Sequence, residues 1–110
     1  MRYEPNTNAQ QCQWLSIAGN ITGLGGEPVI DLAVEVSGDD FLVVVFAGSQ
    51  TAFGDSGFEV PVGSSPRRDE YTVQLIGSLG TPISEAVEVI TGDRCDTNVA
   101  VIEFAQVNEY

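Results

Sequence analysis

Three groups of residues have the chemistry to form a site. The first is acidic. Asp39 and Asp40 are adjacent, Asp69 and Glu70 follow an arginine pair, and Asp93 and Asp96 flank Arg94 and Cys95. Calcium takes six to eight oxygen ligands, and several loop carboxylates converging on one point can supply them. The metal-ligand candidates are therefore Asp39, Asp40, Asp93 and Asp96. The stretch Gly92-Asp93-Arg94 does not follow the spaced D-x-[DN]-x-[DN]-G pattern, and Arg67, Arg68 and Arg94 lie among the acids. The same residues thus also read as a solvated network of surface ion pairs. Adjacent carboxylates such as Asp39-Asp40 point apart, whereas glycoside hydrolysis needs a facing pair about 5–10 Å apart.

The second group lies in residues 48–57, G-S-Q-T-A-F-G-D-S-G. Here Ser49, Gln50, Thr51 and Asp55 surround Phe53. An aromatic ring can stack on the C–H face of a sugar while hydroxyls and amides bind its hydroxyls, so these five residues form a candidate ligand-binding set. Phe53 can equally fold over the end of a core. Trp14 and Tyr71 could likewise stack on a sugar, while Trp14, beside Cys12, also reads as a tryptophan that packs on a disulfide. Asn20-Ile21-Thr22 matches a glycosylation sequon, a three-residue pattern that chance often produces.

The third group is Cys12 and Cys95, near the two ends of the chain. Paired, they would close a loop of about 80 residues and add roughly 4 kcal/mol of stability. A disulfide would imply an oxidising compartment. Left unpaired, they would be two buried thiols.

Absent residue types exclude much chemistry. With no His and no Lys, the chain has no Ser-His or Cys-His pair and no Schiff-base amine. Two cysteines without His also make a poor zinc site. No catalytic residue is expected, and no cofactor beyond the calcium alternative. The net charge of −12 disfavours nucleic acid and anionic membranes. It leaves glycans, cations, basic protein patches, neighbouring domains or copies of the chain itself as partners. No apolar run approaches the roughly 20 residues of a membrane helix.

Short strands must position these groups. Residues 17–36 organise the chain as two alternating apolar runs around a glycine-rich turn, Gly23-Leu-Gly-Gly-Glu-Pro28. Tight reversals of this kind use glycine for its positive φ. The alternation predicts strands over 12–22 and 29–37, the latter with Ile30, Leu32, Val34 and Val36 inward. Residues 41–47 are apolar on both faces, which predicts a central covered strand or one that meets a partner. Strand 58–62 contains Pro61 and must lie at an edge. Strands over 70–76, 83–90 and 98–107 complete the set. Residues 1–11 lack periodicity and read as a tail or linker, the domain spans 12–107, and 108–110 form a second tail. Met1-Arg-Tyr-Glu-Pro has no apolar leader character, so the start reads as a trimmed boundary.

Seven strands with regular turns predict an all-β chain, a seven-stranded antiparallel β-sandwich. In strict alternation, the loops at 23–28, 48–57 and 77–82 share one end. Those at 38–40, 63–69 and 91–97 share the other.

The run Ile17-x-Gly19-x-Ile21, Gly26-x-Pro28-Val29, Leu32-x-Val34-x-Val36, with Gly57-Phe58-Glu59-Val60-Pro61 and Tyr71-Thr-Val-Gln-Leu75, resembles the carboxypeptidase regulatory-like family. Those are transthyretin-like, broadly immunoglobulin-like sandwiches found in secreted bacterial proteins. C-x-W-x-x-I-A-G at 12–19, Phe53 to Phe58, and Cys95 with Asn98 and Ile102-Glu-Phe104 are similar to a narrower group of extracellular modules in Chloroflexus-like bacteria. That likeness implies a Cys12–Cys95 disulfide and an extracellular or cell-surface location. It transfers no catalytic residue, because the catalytic zinc of the carboxypeptidases belongs to another domain. The expected function is a non-catalytic structural, spacer or adhesion module, self-assembling in one version. The alternatives are carbohydrate binding through the 48–57 end and a calcium-stabilised accessory domain.

Overall fold

The computed structural model describes residues 1–7, 9–39, 41–77 and 80–105. It is all-β, with eight strands: β1 Arg2–Glu4, β2 Leu15–Thr22, β3 Ala33–Gly38, β4 Phe41–Phe46, β5 Phe58–Gly63, β6 Glu70–Ile76, β7 Val87–Ile90 and β8 Val99–Ala105. They form two four-stranded sheets, ordered β1-β8-β2-β5 and β4-β3-β6-β7. Every pairing is antiparallel except β2 with β8. Asp40, part of the 77–82 turn, the end of the last predicted strand and the 108–110 tail lie outside the described residues.

The core follows from period-two alternation. Ile17 and Ile21 of β2, Val34 and Val36 of β3, Phe58 and Val60 of β5, Val73 of β6 and Val89 of β7 are buried between the sheets. Gly19, between Ile17 and Ile21, shares that face of β2 by the same alternation, and β8 runs close beside it. A Cβ there would sit 1.8 Å from the Ile102 carbonyl oxygen, so no larger residue fits without moving a strand.

Four expectations need correction. The strand count is eight rather than seven, because part of the segment read as a tail pairs with β8: Arg2 opposes Val101 and Glu4 opposes Val99. Strict antiparallel order fails where β2 meets β8, with Ser16 opposite Val99 and Thr22 opposite Ala105. The 41–47 run is not central. β4 is an edge strand that turns Phe41, Val43 and Val45 toward the core and exposes Leu42, Val44 and Phe46. Ile30 is 65% exposed rather than inward, because it precedes the ladder that begins at Ala33. The expectation that Pro61 marks an edge holds: β5 ends its sheet.

The parallel pair explains the disulfide. Strands that run parallel start side by side. Cys12 and Cys95 each lie four positions ahead of the Ser16–Val99 pair, and their Cα atoms are 5.0 Å apart, bonded through sulfur.

Both faces of β2 are covered. Its inner residues enter the main core, while Ala18, with Val99 and Val101 of β8, forms a second buried cluster on the outer face of the sheet. Trp14, read as a residue that packs on the disulfide, packs against this cluster, as does Phe53.

Candidate functional site

Residues 48–57 leave β4 and fold back over the outer face of β2. The reversal needs positive φ at Gly48 (+88°) and Gly54 (+115°), values that favour glycine. The Gly48 N–H donates to the Gly57 carbonyl at 2.8 Å, and the Gln50 N–H donates to the same oxygen at 3.2 Å. Gly57 is pressed against this turn, so that a Cβ would lie 2.1 Å from the Gln50 carbonyl oxygen. A short 3-10 turn over Thr51–Phe53 follows. Gln50 caps it, its Oε1 accepting from the Ala52 N–H at 3.2 Å.

Two polar side chains fasten the loop to β2. Asn20 Nδ2 donates to the Phe53 carbonyl at 2.9 Å. The buried Ser56 hydroxyl donates to the Ile21 carbonyl at 2.5 Å and accepts from the Ile21 N–H at 3.0 Å. The Phe53 ring therefore rests half-buried on the Ala18–Val99–Val101 cluster, with part of it facing solvent.

Opposite the loop runs the segment after β1. It is held by Asn98, which is fully buried. Asn98 Oδ1 accepts from the Asn6 N–H at 2.7 Å, while Nδ2 donates to the carbonyls of Gln11 (2.9 Å) and Trp14 (3.2 Å). Between segment and loop lies a cleft of about 500 Å³. Phe53, Ala52 and Val99 supply its apolar lining; Asn6, Thr7, Gln50, Glu4 and Glu59 supply polar groups. Glu59 accepts from the Ser16 hydroxyl at 2.8 Å. Arg2 donates to Glu4 at 2.6 Å and also bonds Glu103. These bonds, Glu103 first, raise the Arg2 pKa above its already high value, so Arg2 is a fixed cation at the outer sheet edge. Among the described residues, none that lines the cleft is cationic. Its chemistry suits a neutral, hydroxyl-rich ligand: a ring to stack on, amides and hydroxyls to bond, and carboxylates that repel anions.

Of the predicted ligand set, Gln50 and Phe53 line the cleft, while Ser49, Thr51 and Asp55 do not. The opposite wall, Asn6 and Thr7 with Glu4, comes from the segment read as a tail. A sequence signal existed in Asn98, a polar residue at the start of an apolar strand. A buried amide must find partners, and here they are the backbone of that segment.

The acidic end is organised differently. A second cleft of about 520 Å³ brings Asp39 near Arg67, Arg68, Asp69, Glu70 and Tyr71. Arg67 Nε donates to Asp69, and its terminal nitrogen reaches the Val62 carbonyl (3.1 Å) and the Tyr71 hydroxyl (3.3 Å). The Asp69 bond raises the Arg67 pKa. Asp96 pairs with Arg94 at 2.8 Å, and Asp93 is exposed. Among the described residues no three acidic or cysteine side chains group in a way that could hold a metal ion. Asp39, Asp93 and Asp96 are thus not assembled into one site, and Asp40 lies outside the described residues.

No family model and no curated protein sequence matches the chain. Among solved structures, it is similar to the dioxygenase domain of a dioxygenase–carbohydrate-binding protein fusion from the cellulolytic bacterium Streptomyces sp. SirexAA-E. The TM-score is 0.53 at 13% identity, over 94% of this chain and 86% of that one. At that identity the likeness concerns the fold alone.

Proposed function

We propose that this chain is a non-catalytic adhesion module of an extracellular or cell-surface protein, binding neutral glycan through the cleft beneath residues 50–53. The observation that carries the reading is the Phe53 ring. It is held half-exposed on a fastened loop, across from Asn6 and Thr7, in a cleft with no cation among its described lining residues. Loops fixed on a rigid scaffold are where binding residues concentrate. The disulfide supports an oxidising, extracellular setting. The lack of His and Lys removes the Ser-His, Cys-His and Schiff-base routes to catalysis.

In fold type the chain is read as transthyretin-like, in line with its resemblance to carboxypeptidase regulatory-like domains. The immunoglobulin arrangement joins the first, second, fourth and fifth strands in one sheet. Leaving β1 aside, the strands here group as first, fourth and seventh against second, third, fifth and sixth, which favours the other type.

The test is a glycan array followed by calorimetry on the hits, using the wild type, Phe53→Ala and Thr7→Ala. The reading expects a neutral oligosaccharide bound at micromolar to millimolar Kd, with at least a tenfold loss in Phe53→Ala and a smaller loss in Thr7→Ala. Absence of any hit, or hits that both variants retain in full, overturns it.

A further inference from the structure

We infer that β4 is a self-association edge: two copies pair their β4 strands antiparallel and join their β4-β3-β6-β7 sheets into one continuous eight-stranded sheet. This is independent of the glycan reading.

Free sheet edges are normally blunted by charge, proline or shortness. Three of the four edge strands here follow that rule. β1 has three residues and carries Arg2 and Glu4, β5 carries Glu59 and Pro61, and β7 has four residues including Glu88. β4 does not: Phe41-Leu-Val-Val-Val-Phe46 has six residues with no charge and no proline. In a chain of net charge −12, it is the one edge strand that a second copy can approach without meeting a carboxylate on it.

Backbone and side chains agree on the same residues. The Ala47 N–H donates to the Leu32 carbonyl at 3.0 Å, and the β3–β4 register continues from that pair. Hydrogen-bonded pairs alternate along an antiparallel ladder, so Phe41, Val43 and Val45 bond β3. Leu42, Val44 and Phe46 therefore direct their N–H groups to the open side, where no described strand pairs. The Leu42 and Val44 carbonyls point the same way. Their side chains are 66%, 50% and 70% exposed. The residues with free backbone groups are thus the residues with free apolar side chains.

One register uses all three. With the two-fold axis at Val44, Val44 faces Val44 of the second copy and Leu42 faces its Phe46. Six apolar side chains then form one stripe on the joined sheet. Asp39 precedes β4, so antiparallel pairing sets the two Asp39 residues at opposite ends of the six-residue strands, about 17 Å or more apart at strand rise and beyond the screening length of about 8 Å at physiological salt. Shifting the register by two residues would carry Leu42 or Phe46 of each copy past the end of its partner's strand and leave it unpaired. A pairing of this size buries less than the roughly 1,200 Å² of a standard interface, so the dimer is a reversible one of micromolar to millimolar Kd.

Sedimentation velocity of the wild type and Val44→Glu, from about 10 µM to 1 mM, tests the inference together with amide exchange. The side chain of Val44 is exposed, so the variant should fold; an unchanged circular dichroism spectrum checks this, and Val44→Thr serves as a milder second variant. The expected result is a concentration-dependent dimer in the wild type, reduced at least tenfold in association constant by Val44→Glu. In the dimer, the amides of Leu42, Val44 and Phe46 should slow while those of Val43 and Val45, already bonded to β3, stay the same. A wild type that remains monomeric at 1 mM overturns the inference. So does a dimer that Val44→Glu leaves intact, or protection that appears on another strand.

Discussion

Asn98 holds Asn6 across 92 positions of sequence: its Oδ1 accepts the Asn6 N–H at 2.7 Å. The same amide, through Nδ2, holds the carbonyls of Gln11 and Trp14. One fully buried side chain therefore fixes the segment between β1 and β2, and with it the far wall of the cleft. The disulfide fastens the same segment at Cys12, joining it to the 3-10 turn Cys95–Thr97 that leads into β8.

Asn98→Ala should test this clamp. Three hydrogen bonds are lost, each worth about 0.5–1.5 kcal/mol net, and the groups left behind are partly buried. A destabilisation of about 2–4 kcal/mol is expected, which for a domain near this size lowers Tm by roughly 10–20 °C. Thermal unfolding by circular dichroism measures it. A loss below about 1 kcal/mol would mean that water replaces the amide and that the clamp contributes little. Glycan affinity should fall in the same variant if Asn6 and Thr7 form a wall.

Reduction of the Cys12–Cys95 bond should cost about 4 kcal/mol. Its sequence separation is 83, and the chain-entropy model gives that magnitude for a loop of such length. Denaturant titration of oxidised protein against Cys12→Ser/Cys95→Ser would show a lower midpoint and a steeper slope, because the unfolded chain without the cross-link exposes more surface. Equal midpoints would indicate that the reduced chain already keeps its β2 and β8 starts together. Intact mass before and after reduction and alkylation gives a separate check: unreduced protein should take up no alkylating reagent.

How much of this was legible in the sequence depends on the range of the interaction involved. Strand interiors were readable because alternation is local: Val34, Val36, Val73 and Val89 are where period two puts them, and Pro61 marks an edge by its missing donor. The 48–57 loop was identifiable as an element, and Gln50 and Phe53 within it do line a cleft. The opposite wall was not, because Arg2–Glu4 becomes a strand only by pairing with β8 about 100 residues later. Three residues carry too little periodicity to signal this. For a related reason the sequence does not decide whether β4 is a covered strand or one that meets a partner. An apolar run on both faces fits a covered strand, and only the order of strands in the sheet shows that nothing described covers Leu42, Val44 and Phe46. Among the acidic residues, Asp69 and Asp96 each pair with an arginine two positions away, and Asp40 lies outside the described residues.

The last prediction separates the ring of Phe53 from the loop that carries it. Ser56 is 2% exposed and bonds both backbone groups of Ile21. Ser56→Ala leaves the Ile21 N–H without its hydroxyl partner in a buried setting, a loss of about 1–3 kcal/mol. The Ile21 carbonyl keeps the Val29 N–H at 3.0 Å, which holds the cost to that range. Exchange of the 50–57 amides should quicken, because the loop loses a fastening. Phe53→Ala acts on packing instead. Full truncation of a core phenylalanine costs about 3–5 kcal/mol, but Phe53 is half-buried on a small cluster of Ala18, Val99 and Val101, so about 1–2 kcal/mol is expected. Asn20 bonds the Phe53 backbone rather than its ring, and that bond survives the substitution, so the loop should keep its exchange rates. Thermal unfolding and hydrogen exchange on the two variants therefore give opposite patterns: faster loop exchange in Ser56→Ala, and loss of glycan affinity with a quiet loop in Phe53→Ala. A Phe53→Ala loss above about 3 kcal/mol would assign the ring to packing alone. The glycan reading would then have no aromatic platform, and a structural module would be the better account.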